Sequence, residues 1–258
     1  MKIQRRRYDS IDYYILVNPE GNPVGVSQSL KAILEGKALE AKNLIEKLHS
    51  DKSEILFPVA PSKIICVGLN YHLHARESGK SIPEVPLIFL KPTSALLSPG
   101  GTIELPEMSD EVHYEGELAV IVGRKMKNVS VEEAQSGIMG YSIMNDVTAR
   151  DIQRRETLYT RAKGFDTFAP LGPSIVTDFD PLKSKIKTVL NGVIKQESQL
   201  SDMIFSPAEI ISFISKVMTL NPYDVISTGT PSGVGPLKKG DTVEVIISEI
   251  GILKNTVG

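Results

Sequence analysis

Beyond about residue 55 the chain is a succession of short apolar runs punctuated by proline and glycine, and this punctuation limits the fold more than any other feature. The runs fall at Lys63–Leu69, Leu87–Leu90, Gly101–Leu105, Glu117–Val122, Ser174–Val176, Lys187–Val193, Asp224–Ser227 and Thr242–Ile247. Their length suits strands and is too short for helices. Asn191-Gly192, between Lys185–Leu190 and Val193–Gln196, predicts a type I′ hairpin, because both residues tolerate positive φ. Helical signals are few. Ser206-Pro207-Ala208-Glu209 forms a capping box with proline at the first helical position and leads into Ile210–Leu220. A second helix is predicted to begin near Thr148 and to carry Arg150, Asp151, Gln153 and Arg154. With no internal repeat and no β-α-β-α rhythm, a doubly wound sheet is excluded. The predicted class is α+β, strand-dominated, with a few marginal helices.

Residues 1–55 read as a small N-terminal α/β unit, with strand-like segments around the turn Asn18-Pro19-Glu20-Gly21 and a helix from about Ser29 to Leu48. The polar break His49–Ser53 and the linker Pro58-Val59-Ala60-Pro61 separate it from a larger domain over 56–258. A formal net charge of −2 gives no pull towards nucleic acid or anionic lipid. Arg5-Arg6-Arg7 is too short for a binding footprint and reads as a solvated stretch of strand. Cys66 is the sole cysteine, so no internal disulfide or cysteine cage can form. No apolar run approaches the ~20 residues of a membrane span, and the start Met-Lys-Ile-Gln-Arg lacks the form of a signal peptide. The expected location is the cytoplasm.

The chemical signal is acidic. In Tyr114-Glu115-Gly116-Glu117-Leu118, period-two geometry turns both glutamates to one face of a hydrophobic strand. Two like charges so close are costly to bury unless a hard, oxygen-loving cation joins them. Asp146 closes the run Ile138–Met144 in the same manner and offers a third oxygen ligand. Three carboxylates suit Mg²⁺ or Mn²⁺; a solvated strand face, with Asp146 capping the next helix, is the plainer alternative. His74 and Glu77, three apart on a helical turn, fit an oriented acid–base pair or an ordinary surface pair. Of the other histidines, His49, His72 and His113 read as structural. Lys163, in a glycine-rich loop, could pair with an anionic substrate, form a Schiff base, or simply face solvent. The turn Ser227–Gly235 is dense in hydroxyls and backbone N–H groups and could cradle a carboxylate, but it lacks a P-loop ending.

Taken in order, Cys66–Glu77, Phe89–Pro92, Tyr114–Gly123, Gly140–Gln153, Lys163–Pro173 and Ser227–Gly235 resemble the fumarylacetoacetate hydrolase family, in particular its smaller members. The resemblance implies that family's mixed β-sandwich roll, commonly a homodimer. It implies Glu115, Glu117 and Asp146 as ligands of Mg²⁺ or Mn²⁺, with Ca²⁺ a further possibility. It also implies His74 and Glu77 as the acid–base pair and Lys163 as the holder of substrate oxygens. Thr230 and the Gly229 backbone would bind a substrate carboxylate. Arg150 and Gln153 would line the pocket, with Lys91 a weaker candidate. The larger family hydrolases carry a further acidic ligand upstream of the histidine, yet no acid lies between Glu54 and Glu77 here.

The implied substrate is a small 2-oxo acid. The leading expectation is hydrolytic C–C cleavage of an acylpyruvate-like 2,4-dioxo acid through an enolate. Isomerisation or tautomerisation of hydroxy-dienoate acids and decarboxylation of 2-oxo dicarboxylates are the alternatives. A metal-stabilised protein without turnover and a Lys163 Schiff-base aldolase are two further readings.

Overall fold

The computed structural model describes residues 1–18, 22–48, 53–77, 79 and 81–258. Most of the turn at 18–21 and of the polar break at 49–53, His49 included, lies outside the described residues. The runs of the larger domain become strands: Ile64–Gly68, Leu87–Lys91, Gly116–Val122, Ala169–Val176, Val225–Ser227 and Thr242–Ile247. The Asn-Gly turn joins Lys185–Leu190 to Val193–Gln199, with φ of 50° at Asn191 and 79° at Gly192. Helix Pro207–Val217 starts on the predicted box, Ser206 accepting from the Glu209 N–H while Glu209 accepts from the Ser206 N–H.

Among the described residues the strands form three sheets. The largest runs, in spatial order, Pro23–Ser27, Ile11–Val17, Lys2–Tyr8, Ala169–Val176, Ile138–Asn145, Gly116–Val122, Val225–Ser227, Ile64–Gly68 and Leu87–Lys91. Along this order the pairs are antiparallel except where Val225–Ser227 lies parallel to Ile64–Gly68; off it, Leu96–Leu97 also pairs in parallel with Ala169–Val176. A five-stranded sheet orders Val193–Gln199, Lys185–Leu190, Thr242–Ile247, Gly251–Val257 and Thr102–Ile103. A small third sheet places Val112–Tyr114 between Thr148–Ala149 and Gly235–Pro236.

Strand Gly116–Val122 is buried on both faces, and its alternation sorts the core. Leu118, Val120 and Val122 face helix Pro207–Val217 and the second sheet, where Ile186, Val245 and Ile247 meet them. Ala119 and Ile121 face the other way, with Cys66, Met144 and Ile175. Burying each large aliphatic side chain contributes about 1.5–3 kcal/mol, so this strand's register is strongly fixed. Glu117 shares the parity of Ala119, and Asp146 that of Met144. Both acids therefore extend the second apolar face at the end where the strands run out.

One predicted helix divides. In place of a single element from Ser29 to Leu48 there are Leu30–Leu34 and Lys42–Leu48. Gly36, at φ 71°, turns the chain out of the first helix. Leu39 then bridges Val26, with N–H···O distances of 2.9 Å in both directions. The helix expected near Thr148 begins two residues later, at Arg150–Arg155, because Thr148 and Ala149 pair with His113 and Val112.

Candidate active site

Backbone contacts join the two acid-bearing segments first. The Asp146 N–H donates to the Glu115 carbonyl at 2.8 Å, and the Glu115 N–H donates to Asn145 Oδ1 at 2.9 Å. Glu115, Glu117 and Asp146 are 5%, 1% and 1% exposed, and one carboxylate oxygen of each falls within 4.8 Å of the others. That burial removes the plainer alternative of a solvated face. Asp146 is not a helix cap either, since Ala149 occupies the N-cap of Arg150–Arg155.

Cations close on two of the three acids. Lys163, from the short helix Thr160–Lys163, donates through Nζ to Glu115 at 2.7 Å and to Asp146 at 2.6 Å. Lys91, at the end of its edge strand, reaches the other Asp146 oxygen at 2.5 Å and the Val147 carbonyl at 3.0 Å. Arg150 pairs with Glu115 and donates to Gln153 Oε1 at 2.5 Å. Glu117 differs: its hydrogen-bond partners among the described residues are neutral, the Ser227 hydroxyl at 2.5 Å and the Gly229 N–H at 2.8 Å. Gly229 has φ 97°, and a Cβ there would stand 2.7 Å from the Asn70 Cβ, so glycine is required to aim this N–H.

The electrostatics follow from these partners. Burial raises the Glu115 carboxyl, but Lys163 and Arg150 outweigh it and hold the group below the usual carboxylate range. Burial and then the facing Asp146 and Glu115 charges push Glu117 well above that range. Lys163 is depressed by burial, yet Asp146 and Glu115 carry it above the usual lysine value, so it is an ammonium. A buried acid with only neutral partners, within reach of two more oxygens, meets the chemical requirement of a divalent-cation site. The trio could hold such an ion, its three carboxylates providing hard oxygen donors.

These groups and the predicted acid–base pair share one cleft of about 340 Å³. His74 and Glu77 lie on helix His72–Glu77, with His74 Nδ1 3.1 Å from Glu77 Oε2. The Gly233 N–H donates to both Glu77 oxygens, at 3.2 and 3.3 Å. Arg150, Gln153 and Thr230 line the same cleft. Gly229 touches it through Glu117. Sequence reasoning read His113 as structural, yet it lines the cleft with Nε2 2.7 Å from Glu111, which also pairs with Arg154. Burial first, then Arg150, lowers the His113 imidazole. Asn145 and Gln196 were also missed, since their partners lie far off in sequence and nothing local marks them. Ser227 was read only as part of a hydroxyl-rich turn, and its hydroxyl goes to Glu117.

The roll and its buried carboxylates define a class of protein: a strand-dominated scaffold with a site competent for a divalent cation at the strand ends. The profile described as "Fumarylacetoacetate (FAA) hydrolase C-terminal" matches residues 63–258, and the chain belongs to the fumarylacetoacetate hydrolase family. A 5-carboxymethyl-2-hydroxymuconate delta-isomerase from Mycobacterium smegmatis is 40% identical and superposes with a TM-score of 0.84, covering 100% of this chain and 98% of that one. The mitochondrial oxaloacetate tautomerase FAHD2A of Bos taurus is 42% identical over 221 residues, 80% of this chain and 70% of the relative. Fumarylpyruvate hydrolase from Pseudomonas aeruginosa, solved with Mn²⁺ and pyruvate, is 32% identical with a TM-score of 0.73, covering 81% and 92% of the two chains. No helix among the described residues is long and apolar enough to cross a membrane.

Proposed function

We propose that this protein is a cytoplasmic, divalent-metal-dependent enzyme acting on short 2-oxo acids, and that enol–keto tautomerisation of an oxaloacetate-like acid is its best-supported activity. The observation that carries this reading is the single cleft lined by both the His74–Glu77 pair and the carboxylate trio. Glu115, Glu117 and Asp146 would hold Mg²⁺ or Mn²⁺, with Ca²⁺ a third candidate, and the ion would supply Lewis acidity at the substrate's 1-carboxylate and 2-oxo oxygen. In the keto-to-enol direction His74, steered at Nδ1 by Glu77, would take a C3 proton at Nε2 while a proton is delivered to the 2-oxygen. In the enol-to-keto direction the 2-OH loses its proton and His74 gives one to C3. The Lys163 ammonium sets positive charge beside the oxygen that gains electron density. Thr230 would bind the carboxylate, while the Gly229 N–H, engaged by Glu117, holds that ligand in place; Arg150 and Gln153 face the distal end.

Hydrolysis is the second reading, and the fold shared with fumarylpyruvate hydrolase favours it. His74 would then activate water to attack the C4 carbonyl of an acylpyruvate, and breaking C3–C4 would yield pyruvate and a carboxylic acid. Loss of CO₂ from C4 would give the decarboxylase variant. Tautomerisation stands first because the relatives at 40% and 42% identity are an isomerase and a tautomerase. It also needs no water in the cleft.

Ultraviolet absorbance of enol oxaloacetate and enol acetylpyruvate, with and without Mg²⁺ and with pyruvate quantified, tests both. Metal-dependent enol decay without pyruvate supports the tautomerase. Stoichiometric pyruvate from acetylpyruvate would replace it with the hydrolase. No metal-dependent change in either would overturn both readings.

The proposal includes a small unit over 1–55 beside a catalytic domain over 56–258, supported by a family match that begins at residue 63. It also includes a homodimer. The edge strand Leu87–Lys91 borders an apolar groove of about 510 Å³ in which Leu158 is 75% exposed. A monomer mass in light scattering would sink the dimer.

A further inference from the structure

Behind the cleft, a polar side chain of the second sheet reaches the back of Thr230. Gln196, on strand Val193–Gln199, is 1% exposed, and its amide closes a ring of hydrogen bonds. The Gly116 N–H donates to Gln196 Oε1 at 3.1 Å, and Gln196 Nε2 donates to Thr230 Oγ1 at 2.8 Å. The Thr230 hydroxyl then donates to the Gly116 carbonyl at 2.9 Å. The second Nε2 proton goes to the Pro231 carbonyl at 2.8 Å. An amide with its acceptor and both donors engaged has one orientation: a flip would set N–H against N–H and carbonyl against carbonyl.

Two parts of the site meet in that ring. Gly116 is the residue between Glu115 and Glu117. Thr230 begins the turn whose neighbours Gly229 and Gly233 donate to Glu117 and Glu77. A hydroxyl has a single proton, and that of Thr230 is already directed at Gly116. The hydroxyl can donate to a substrate carboxylate only by swinging its proton away from that carbonyl. While it swings, Gln196 keeps the oxygen in place, and a donor bonded into a hydroxyl makes that hydroxyl a better donor itself.

We infer that Gln196 is a positioning residue for substrate carboxylate binding, acting through the Thr230 hydroxyl from outside the cleft. This rests on the proposed role of Thr230 in holding the carboxylate of a 2-oxo acid. A carboxylate contact is made equally in ground and transition states, so its weakening appears in affinity and KM and hardly in kcat.

The test is a double-mutant cycle over Gln196→Met and Thr230→Val, read as the Kd for pyruvate with Mg²⁺ present and as KM and kcat for enol oxaloacetate. Gln196→Met should weaken pyruvate and raise KM about 10-fold, roughly 1.4 kcal/mol, with kcat within about 3-fold. In the Thr230→Val background the same change should have almost no further effect. Unchanged pyruvate affinity in Gln196→Met, full additivity in the cycle, or equal losses in kcat and KM would overturn the inference. Should Gln196→Met not fold, Gln196→Glu keeps the acceptor for the Gly116 N–H and loses both donors. Its carboxylate would draw the Thr230 hydroxyl proton to itself, so this variant is read singly, and unchanged pyruvate affinity in it overturns the inference. Wild-type protein that binds no pyruvate in Mg²⁺ would instead defeat the functional reading itself, and this inference with it.

Discussion

The floor of the cleft and its rim are built on opposite terms. Glu115, Glu117 and Asp146 stand at the ends of central strands, buried and engaged by lysine, arginine, hydroxyl and backbone donors. His74 and Glu77 ride on a six-residue helix, their side chains 16% and 46% exposed. Charge that must be kept at a fixed geometry out of water belongs in the part of the fold that cannot yield. A proton-transfer group that meets an entering molecule is better placed where the chain opens at lower cost. On the proposed function, the difference would assign binding to the floor and chemistry to the rim.

Substitutions can break that division, and the floor should fail hardest. Glu117→Gln matches the protonated acid in shape, so the thermal midpoint of the metal-free protein should move little. Divalent-cation affinity should drop about 1,000-fold, or roughly 4 kcal/mol, by calorimetric titration, with activity lost alongside it. Normal Mg²⁺ binding in this variant would place the cation elsewhere. The rim comes next. His74→Ala should cut turnover by about 10²–10⁴-fold while Mg²⁺ and pyruvate affinities stay within about 3-fold. Parallel loss of both affinities would merge rim and floor into one unit.

Acidity sharpens the contrast further. Folding raises the Glu117 pKa, so the metal-free native state binds more protons than the unfolded chain between the ordinary carboxylate range and the raised value. Its contribution is present at low pH and is lost as pH rises through that window. Glu115 is depressed, so its contribution is present above the ordinary carboxylate range and is lost as pH falls through the depressed value. A cation must displace the Glu117 proton, so Mg²⁺ affinity should fall by up to about 10-fold per unit as pH drops within the Glu117 window. Melting scans should therefore show a larger Mg²⁺-induced rise at pH 8 than at pH 6; the reverse order would remove Glu117 from the ligand set. The smallest effect belongs to Glu77→Gln. Loss of its charge-assisted bond to His74 should lower turnover about 10-fold with cation affinity untouched, as steady-state kinetics and the same titration would read.

The floor was more legible than its surroundings, for a physical reason. Parity along a strand is local information, and it turned Glu115 and Glu117 to one face before any contact was known, with Asp146 marked by its place at the end of another apolar run. The Asn191-Gly192 hairpin and the Ser206 box were equally local. The donors to Glu117 were not: Ser227 is 110 positions away, and its pairing depends on a sheet order no local pattern encodes. The undivided helix over Ser29–Leu48 failed through competition, because apolar spacing at Leu39 served a bridge to Val26 as well as it would have served a helix. His113 was passed over because its neighbours in the cleft come from an unexpected small sheet.

The sheet order that brings Ser227 beside Glu117 also bears on how the chain reaches its native state. Contacts so distant in sequence are slow to form and are absent from a disordered ensemble. A cation would find its three carboxylates assembled only in folded molecules, so each 10-fold excess of metal over its dissociation constant should add about 1.4 kcal/mol of stability. If these pairings close after the folding barrier, that increment will appear as slower unfolding, with refolding in stopped flow indifferent to Mg²⁺. Refolding accelerated by Mg²⁺ would instead mean that the carboxylates converge before the barrier is crossed. With refolding indifferent to Mg²⁺, the metal is a lock on an assembled structure and takes no part in its nucleation.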